Sequence, residues 1–243
     1  MEKLLIDIYI ILGIYFFLGG IGIILINRKK GDKVEKRNRW VKFWVYFGVV
    51  MLTVNLIYYG HYIYLSITLS AIGLFEIFKV NKLRYLNVFL SYLIYFLIIS
   101  LFIYAFKLGD DVLLVIYLLV LVFDGFSQIF GQLLGKRQLA RIISPNKTIE
   151  GFFGGLFAVL LTIFMLEKYD FLDIFSITIN LTISIFISSI ALFGDLLASH
   201  FKRINSVKDF SKFIPQHGGI LDRFDSFIFT TAIINLIYII FWR

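Results

Sequence analysis

The chain has 243 residues, 60% of them hydrophobic, with 28 Phe and 14 Tyr against 2 Pro and no Cys. Its mean hydropathy of +0.88 means more apolar surface than a soluble domain of this length buries, so composition excludes a soluble enzyme and requires an integral membrane protein. The missing Cys excludes disulfides, zinc-thiolate sites and thiol catalysis, and the net charge of +8 does not indicate a nucleic-acid partner, because the bases sit in short segments between apolar runs.

Apolar runs near the length of a bilayer crossing predict helices over 4–26, 41–60, 62–79, 86–106, 111–134, 150–166, 174–198 and 219–241. The expected fold is all-α and polytopic, with about eight transmembrane helices in one membrane domain. About four fall in an N-terminal part, 1–110, and the rest in 111–243, where the motifs lie. The first run outlasts a signal-peptide core, has no basic leader and shows no small-x-small site before Arg28, so it reads as a retained helix. After it, NRKKGDKVEKRNRW at 27–40 reads as a solvated topogenic loop.

Segments 27–42, 79–85, 135–148 and 199–217 share one side of an eight-crossing layout and carry 19 of the 24 Lys and Arg. The positive-inside tendency makes that side cytoplasmic, and the opposite side is net acidic. The protein is thus expected in the cell membrane, with its charged loops facing the cytoplasm. Some of these bases are also suited to anionic lipid headgroups.

Within the spans the acids lying away from the ends are few: Glu76, Asp124, Asp195, and Asp222 with Asp225 at the start of the last helix. An ionised group at membrane depth is costly unless it meets protein, water, metal or substrate, so each is a candidate for function. Glu76 reads as structural, paired with Lys79 or Lys82. Asp124 is followed on its helix face by Ser127 and Gln128. Asp195 and Ser199 share a face, as do Asp222 and Asp225. Oxygen donors on two helix ends suit Mg²⁺, which takes one or two protein carboxylates and completes its shell with substrate phosphate. Spacing alone leaves rival readings open. Asp222 and Asp225 also fit a salt bridge to Arg223 or Lys208 at a helix start, and Asp195 with Ser199 fits a hydrogen bond between helices. His217, before Gly218 and Gly219, equally suits a turn cap.

A second basic cluster, SPNKTIEGFFGG at 144–155, places Pro145 so as to disfavour helix at Ser144, with a helix beginning shortly after. Ser144 and Lys147 then lie at a helix N-terminus suited to an anion, although Lys147 also fits ordinary loop charge. The spacing of Gly131, Gly135 and Lys136 is not that of a P-loop. Gly151 and Gly155 at a four-residue interval favour close helix packing.

The run from Ser199 to Asp225, SHFKRINSVKDFSKFIPQHGGILDRFD, resembles the signature of CDP-diacylglycerol synthases, also called phosphatidate cytidylyltransferases. The matching positions are Ser199, Lys202, Arg203, Lys208, Asp209, His217, Gly218, Gly219, Asp222, Arg223 and Asp225. GKRQLARIISPNKTIEGFFGG at 135–155 and GDLLASHFKR at 194–203 look like the same family, whereas DGFSQIFG at 124–131 departs from its usual pattern at Gly125 and Gln128.

The resemblance implies CMP transfer from CTP to phosphatidate, yielding CDP-diacylglycerol and pyrophosphate. It implies a requirement for Mg²⁺, held by Asp195, Ser199, Asp222 and Asp225, with K⁺ as an optional second cation. It further implies charge-stabilising roles for Lys202, Arg203, Lys208, Arg223 and His217, and substrate contacts from Asp124, Ser144, Lys147, Asp209, Gly218 and Gly219. Activation of another lipid phosphate, such as an isoprenoid-ether lipid, and phosphorylation of a polyprenol are alternatives that share the nucleotide. A cation transporter is a remote one, since the acids gather at one face with phosphate-type bases. The helices are able to pack as a monomer or to offer a face for a homodimer.

Overall fold

The alternation of apolar runs with short charged connectors folds into helices α1 (Glu2–Lys29), α2 (Lys33–Tyr58), α3 (Tyr62–Val80), α4 (Tyr85–Tyr104), α5 (Asp110–Leu134), α6 (Ile149–Leu166), α7 (Ile177–Ile204) and α8 (Leu221–Trp242). The computed structural model describes residues 2–29, 31–82, 85–166, 177–214 and 218–242, and of these the backbone alone at 29, 85–87, 177–178 and 242. Among the described residues, eight helices are long and apolar enough to cross a bilayer. The chain is an all-α, polytopic membrane protein.

Three boundaries depart from the sequence expectation, each for a local reason. Within the charged run at 27–40, residues 27–29 close α1, and from Lys33 the run forms the first turns of α2. Asp32 caps that start by accepting the Glu35 amide at 2.8 Å, and Arg39 pairs with Glu35 at 3.3 Å one turn later. Charge here signals a capped helix end as well as solvation.

At the other end of the chain α7 continues six residues past the expected stop at 198. It closes where Val207 N donates to the Lys202 carbonyl at 2.9 Å, around Ser206 at φ 57°. That is a six-to-one C-cap with serine in the left-handed position. Residues 199–204 therefore belong to a helix and not to a loop.

The connector after α5 holds a hairpin, β1 (Gln138–Ala140) and β2 (Ser144–Thr148), antiparallel with Gln138 opposite Thr148 and Ala140 opposite Ser144.

The chain forms two compact units, one from Met1–Met51 with Tyr117–Ser189, the other from Leu52–Ile116 with Ile190–Arg243. In the first, the glycines of α6 permit close approach to α5, as their spacing suggests. A Cβ on Gly151 would lie 2.5 Å from the Ser127 carbonyl, and one on Gly155 would lie 2.8 Å from that of Phe123. The Tyr15 hydroxyl donates to the Ala158 carbonyl at 3.2 Å and lies 2.9 Å from the Thr162 hydroxyl.

In the second unit, polar groups inside spans also find partners, as a medium without water demands. Tyr62 donates to the Phe102 carbonyl at 2.6 Å, Tyr95 to that of Ser70 at 2.8 Å, and Asn235 to that of Leu101 at 2.8 Å. Helix α3 buries one stripe, Tyr62, Leu65, Ser66, Leu69, Ser70, Gly73, Glu76, Ile77 and Val80. Its Tyr64, Ile67, Phe75 and Phe78 are exposed, a face fit for lipid. The three-and-four spacing of that stripe carries Glu76 inward.

Candidate active site

The second unit gathers most of the expected site residues at the end of α7, the turn that follows it, and the start of α8. Ser199 and Lys202 are buried on α7, and Asp195 lies one turn before Ser199 on the same face. The Lys202 ammonium donates to Asp222 Oδ1 at 2.5 Å and stands 5.1 Å over the Phe210 ring. Phe210 in turn stacks on Phe201 with 6.0 Å between ring centroids.

Both members of the Lys202–Asp222 pair are largely enclosed, with side chains 9% and 2% exposed. An ammonium in such a place is tolerable only if paired and hydrogen-bonded. Asp222 meets the condition on its own side too, since Oδ2 accepts from Phe210 N at 2.9 Å and from Gly219 N at 2.8 Å. One carboxylate thereby ties α7, the turn and α8 together.

The turn between the helices is held at several further points. The Asn205 side chain accepts the Lys82 amide at 2.7 Å. Ile214 N donates to the Gly218 carbonyl at 2.9 Å. Gly218 has φ 89°, and a Cβ there would lie 2.9 Å from Asp222 Oδ2 and 3.1 Å from Asp209 Cβ, so both conformation and space demand glycine.

The outer charges of the motif behave differently. Arg203, Lys208 and Asp209 are exposed, and Arg203 Nη1 donates to the Val207 carbonyl at 3.1 Å. Arg223 is half-buried, with its Nε enclosed and facing no acceptor among the described residues. Asp225 Oδ1 accepts the Ser226 amide at 2.8 Å. His217 lies outside the described residues.

Two expected pairings change. Asp222 bonds Lys202, not Arg223 or Lys208, because α7 continues far enough to bring its last turn against α8. Glu76 serves neither Lys79 nor Lys82, since its oxygens accept from Ser211 Oγ at 2.6 Å, Ile220 N at 3.0 Å and Leu221 N at 2.8 Å. Glu76, Phe210 and Ser211 are thus members of the site that sequence reasoning did not select. The signal for Glu76 was present as a stripe of small or polar residues, Ser66, Ser70, Gly73 and Glu76, along one face of an otherwise apolar helix.

The oxygen donors of the expected cation set, Asp195, Ser199, Asp222 and Asp225, are hard ligands of the kind Mg²⁺ takes. Among the described residues no three of His, Cys, Asp and Glu gather as a metal-ligand group. The set therefore fits a partial shell completed by water and substrate phosphate, which is how Mg²⁺ is commonly held. A cation at Asp222 would have to share or replace the Lys202 ammonium.

Asp124, Ser144 and Lys147 belong to the first unit, all half-buried. The Asp124 carbonyl accepts the Ser127 hydroxyl at 3.1 Å. The hairpin that carries Ser144 and Lys147 is pinned at its base. Glu150 accepts the amides of Lys136 and Arg137 at 3.0 and 3.2 Å, Thr148 caps α6 through the Gly151 amide at 3.1 Å, and Ile149 N donates to the Arg137 carbonyl at 3.0 Å. At the tip, Ile142 is 90% exposed.

Eight apolar helices with a paired, buried Lys–Asp at the junction of the last two define a membrane-embedded site rich in phosphate-type bases. Residues 7–241 match the cytidylyltransferase family, and the chain belongs to it. Among similar proteins, the phosphatidate cytidylyltransferase of Staphylococcus epidermidis (strain RP62A) is 43% identical over 131 residues, 54% of this chain and 50% of that protein. The phosphatidate cytidylyltransferase of Staphylococcus haemolyticus (strain JCSC1435) is 46% identical over 132 residues, and that of Staphylococcus aureus (strain COL) is 43% identical over 132. In both cases the match again covers 54% of this chain and 50% of the relative. The chain thus aligns with about half the length of these curated relatives.

Proposed function

We propose that the protein transfers CMP from CTP to phosphatidate, forming CDP-diacylglycerol and pyrophosphate at the cytoplasmic face of the cell membrane. The observation that carries this reading is the buried pair of signature residues, Lys202 and Asp222, where the end of α7 meets the start of α8. Family membership and the names of the relatives support it. The cytoplasmic placement rests on the distribution of Lys and Arg between the spans.

A phosphatidate phosphate oxygen is already nucleophilic at neutral pH. It attacks the α-phosphorus of CTP, a new P–O bond forms, the bond to the bridging oxygen breaks, and its electron pair leaves with pyrophosphate. Two polyanions have to be aligned and neutralised, which is electrostatic and positional work. Asp195, Ser199, Asp222 and Asp225 would hold Mg²⁺, which would supply charge neutralisation on the CTP phosphates. K⁺ is an optional second cation in the same oxygen-rich set.

Arg223 has an enclosed Nε with no acceptor among the described residues, so an incoming phosphate oxygen supplies what that group lacks. Lys202, Arg203, Lys208 and His217 add charge stabilisation. Asp209, Gly218 and Gly219 shape the turn against substrate. Asp124, Ser144 and Lys147 are assigned substrate contacts on the first unit, each to be tested by its own substitution.

The test is incubation of the purified full chain in detergent with dioleoyl phosphatidate, CTP and Mg²⁺, with lipid products read by mass spectrometry. CDP-diacylglycerol that disappears with EDTA is the expected result. A folded, monodisperse protein that makes none from phosphatidate, yet a CDP-lipid from an isoprenoid-ether phosphate, would reassign the acceptor; none from either would overturn the reading.

A further inference from the structure

Glu76 is a carboxylate buried to 2% exposure on an apolar membrane helix, and its three described bonds come from neutral donors. Such a group costs several kcal/mol unless fully hydrogen-bonded. It meets the requirement through Ser211 Oγ, Ile220 N and Leu221 N. The last two are among the first backbone donors of α8, which have no partner within the helix.

A local Ser, Asp or Asn at the helix start would cap those donors without a charge imported from a distant span. Here the cap comes from α3, 144 residues away from Ile220 in sequence. Gly219 lies so close that a Cβ on it would be 2.6 Å from Glu76 Oε1.

The neighbouring donors go to Asp222, which takes Gly219 N and Phe210 N. Glu76 and Asp222 therefore grip the same two short pieces of chain from opposite ends, 210–211 before the turn and 219–221 after it. With both grips made, Asp222 Oδ1 faces Lys202. Without the α3 grip, the 210–221 segment and the first turn of α8 lose the contact that fixes their height along α3.

We propose that Glu76 is a positioning residue of the transferase, acting through the turn to set Asp222 against Lys202 and touching no substrate itself. This role rests on the nucleotidyl-transfer reading above. It also gives the N-terminal part of the chain a share in catalysis, through a single carboxylate.

The test compares wild type, Glu76→Gln, Gly219→Ala and the double variant, purified as full chains in detergent. Three readouts are taken: kcat for CDP-diacylglycerol formation, KM for CTP, and the stoichiometry of CTP bound per chain by calorimetry. Glu76→Gln keeps an acceptor oxygen for Ser211 and Ile220 but turns an amide toward Leu221 N. A misplacement on the ångström scale costs roughly 100-fold in rate.

The expected result for Glu76→Gln is kcat lowered about 10- to 100-fold, with KM for CTP within about threefold and CTP stoichiometry unchanged. Gly219→Ala should lower kcat at least as far, because a Cβ there crowds Glu76 and the same residue's amide serves Asp222, and the double variant should fall short of the product of the singles because the two share the Glu76 contact. Turnover of Glu76→Gln within about twofold of wild type would overturn the proposal. So would a loss of turnover matched by an equal loss of CTP-binding chains, since that marks a purely structural cap. A wild type that binds CTP but makes no CDP-diacylglycerol would instead overturn the functional reading on which the proposal depends.

Discussion

Lys202 and Asp222 are buried and bonded to each other, whereas along the β1–β2 hairpin the basic side chains of Lys136, Arg137 and Arg141 stay exposed while the amides of Lys136 and Arg137 are pinned by Glu150. The two segments have similar density of Lys and Arg in the sequence. The difference lies in whether an acid meets a base at matching depth: Asp222 reaches Lys202, while Glu150 at the hairpin spends its carboxylate on two amides. A prearranged cluster acts through geometry, so damage there should appear in kcat and in stability together. An exposed basic hairpin acts through charge at contact, so damage there should appear in KM alone.

The largest effect expected is at Asp222. Asp222→Asn should lower turnover by at least about 1,000-fold, as for groups that act as a unit in a catalytic site. It should also lose about 3–5 kcal/mol of stability, because Lys202 is left buried without its counter-charge. Activity and the thermal midpoint in detergent check both halves. Next, Lys202→Met combined with Asp222→Asn should recover most of that stability while remaining inactive, since it removes the unpaired buried ammonium and Asn keeps an acceptor for Phe210 N and Gly219 N. A double variant as unstable as Asp222→Asn would show that the unpaired ammonium is not the source of the loss.

A smaller and kinetically different effect is expected at the hairpin. Lys147→Ala should raise KM for CTP roughly tenfold, about 1.4 kcal/mol of charge-assisted contact, with kcat nearly unchanged. A fall in kcat of the same size as at Lys202 would erase the contrast between the two regions. The smallest effect belongs to Asp32, which caps the start of α2. Asp32→Ala should cost about 1 kcal/mol of stability and leave turnover untouched.

The helices were legible because bilayer length and hydropathy leave few alternatives. Position along a span was less legible where charge and helix coexist. The run at 33–40 opens α2 through Asp32 and Glu35, and 199–204 extends α7 to a serine cap, yet both look like loops when charge is taken as the mark of solvent. The ordered positions from Ser199 to Asp225 picked out a region that includes the buried Lys202–Asp222 pair, but not its wiring. Nothing in the spacing of Lys202 and Asp222, twenty residues apart, distinguishes Lys202 from Lys208 as the partner. Glu76 was visible as the acid in a stripe of small and polar residues, but its partners were not, because two of its three donors are backbone amides more than a hundred residues away, and backbone amides carry no sequence signal.

The most direct measurement follows two labels through one reaction, with CTP carrying one isotope at the α-phosphate and another at the γ-phosphate, and phosphatidate as acceptor. Nucleotidyl transfer at the Lys202–Asp222 site predicts the α label in the lipid and the γ label in pyrophosphate, in equal amounts and lost together in Asp222→Asn. Appearance of the γ label in the lipid, or undiminished α transfer in Asp222→Asn, would contradict it.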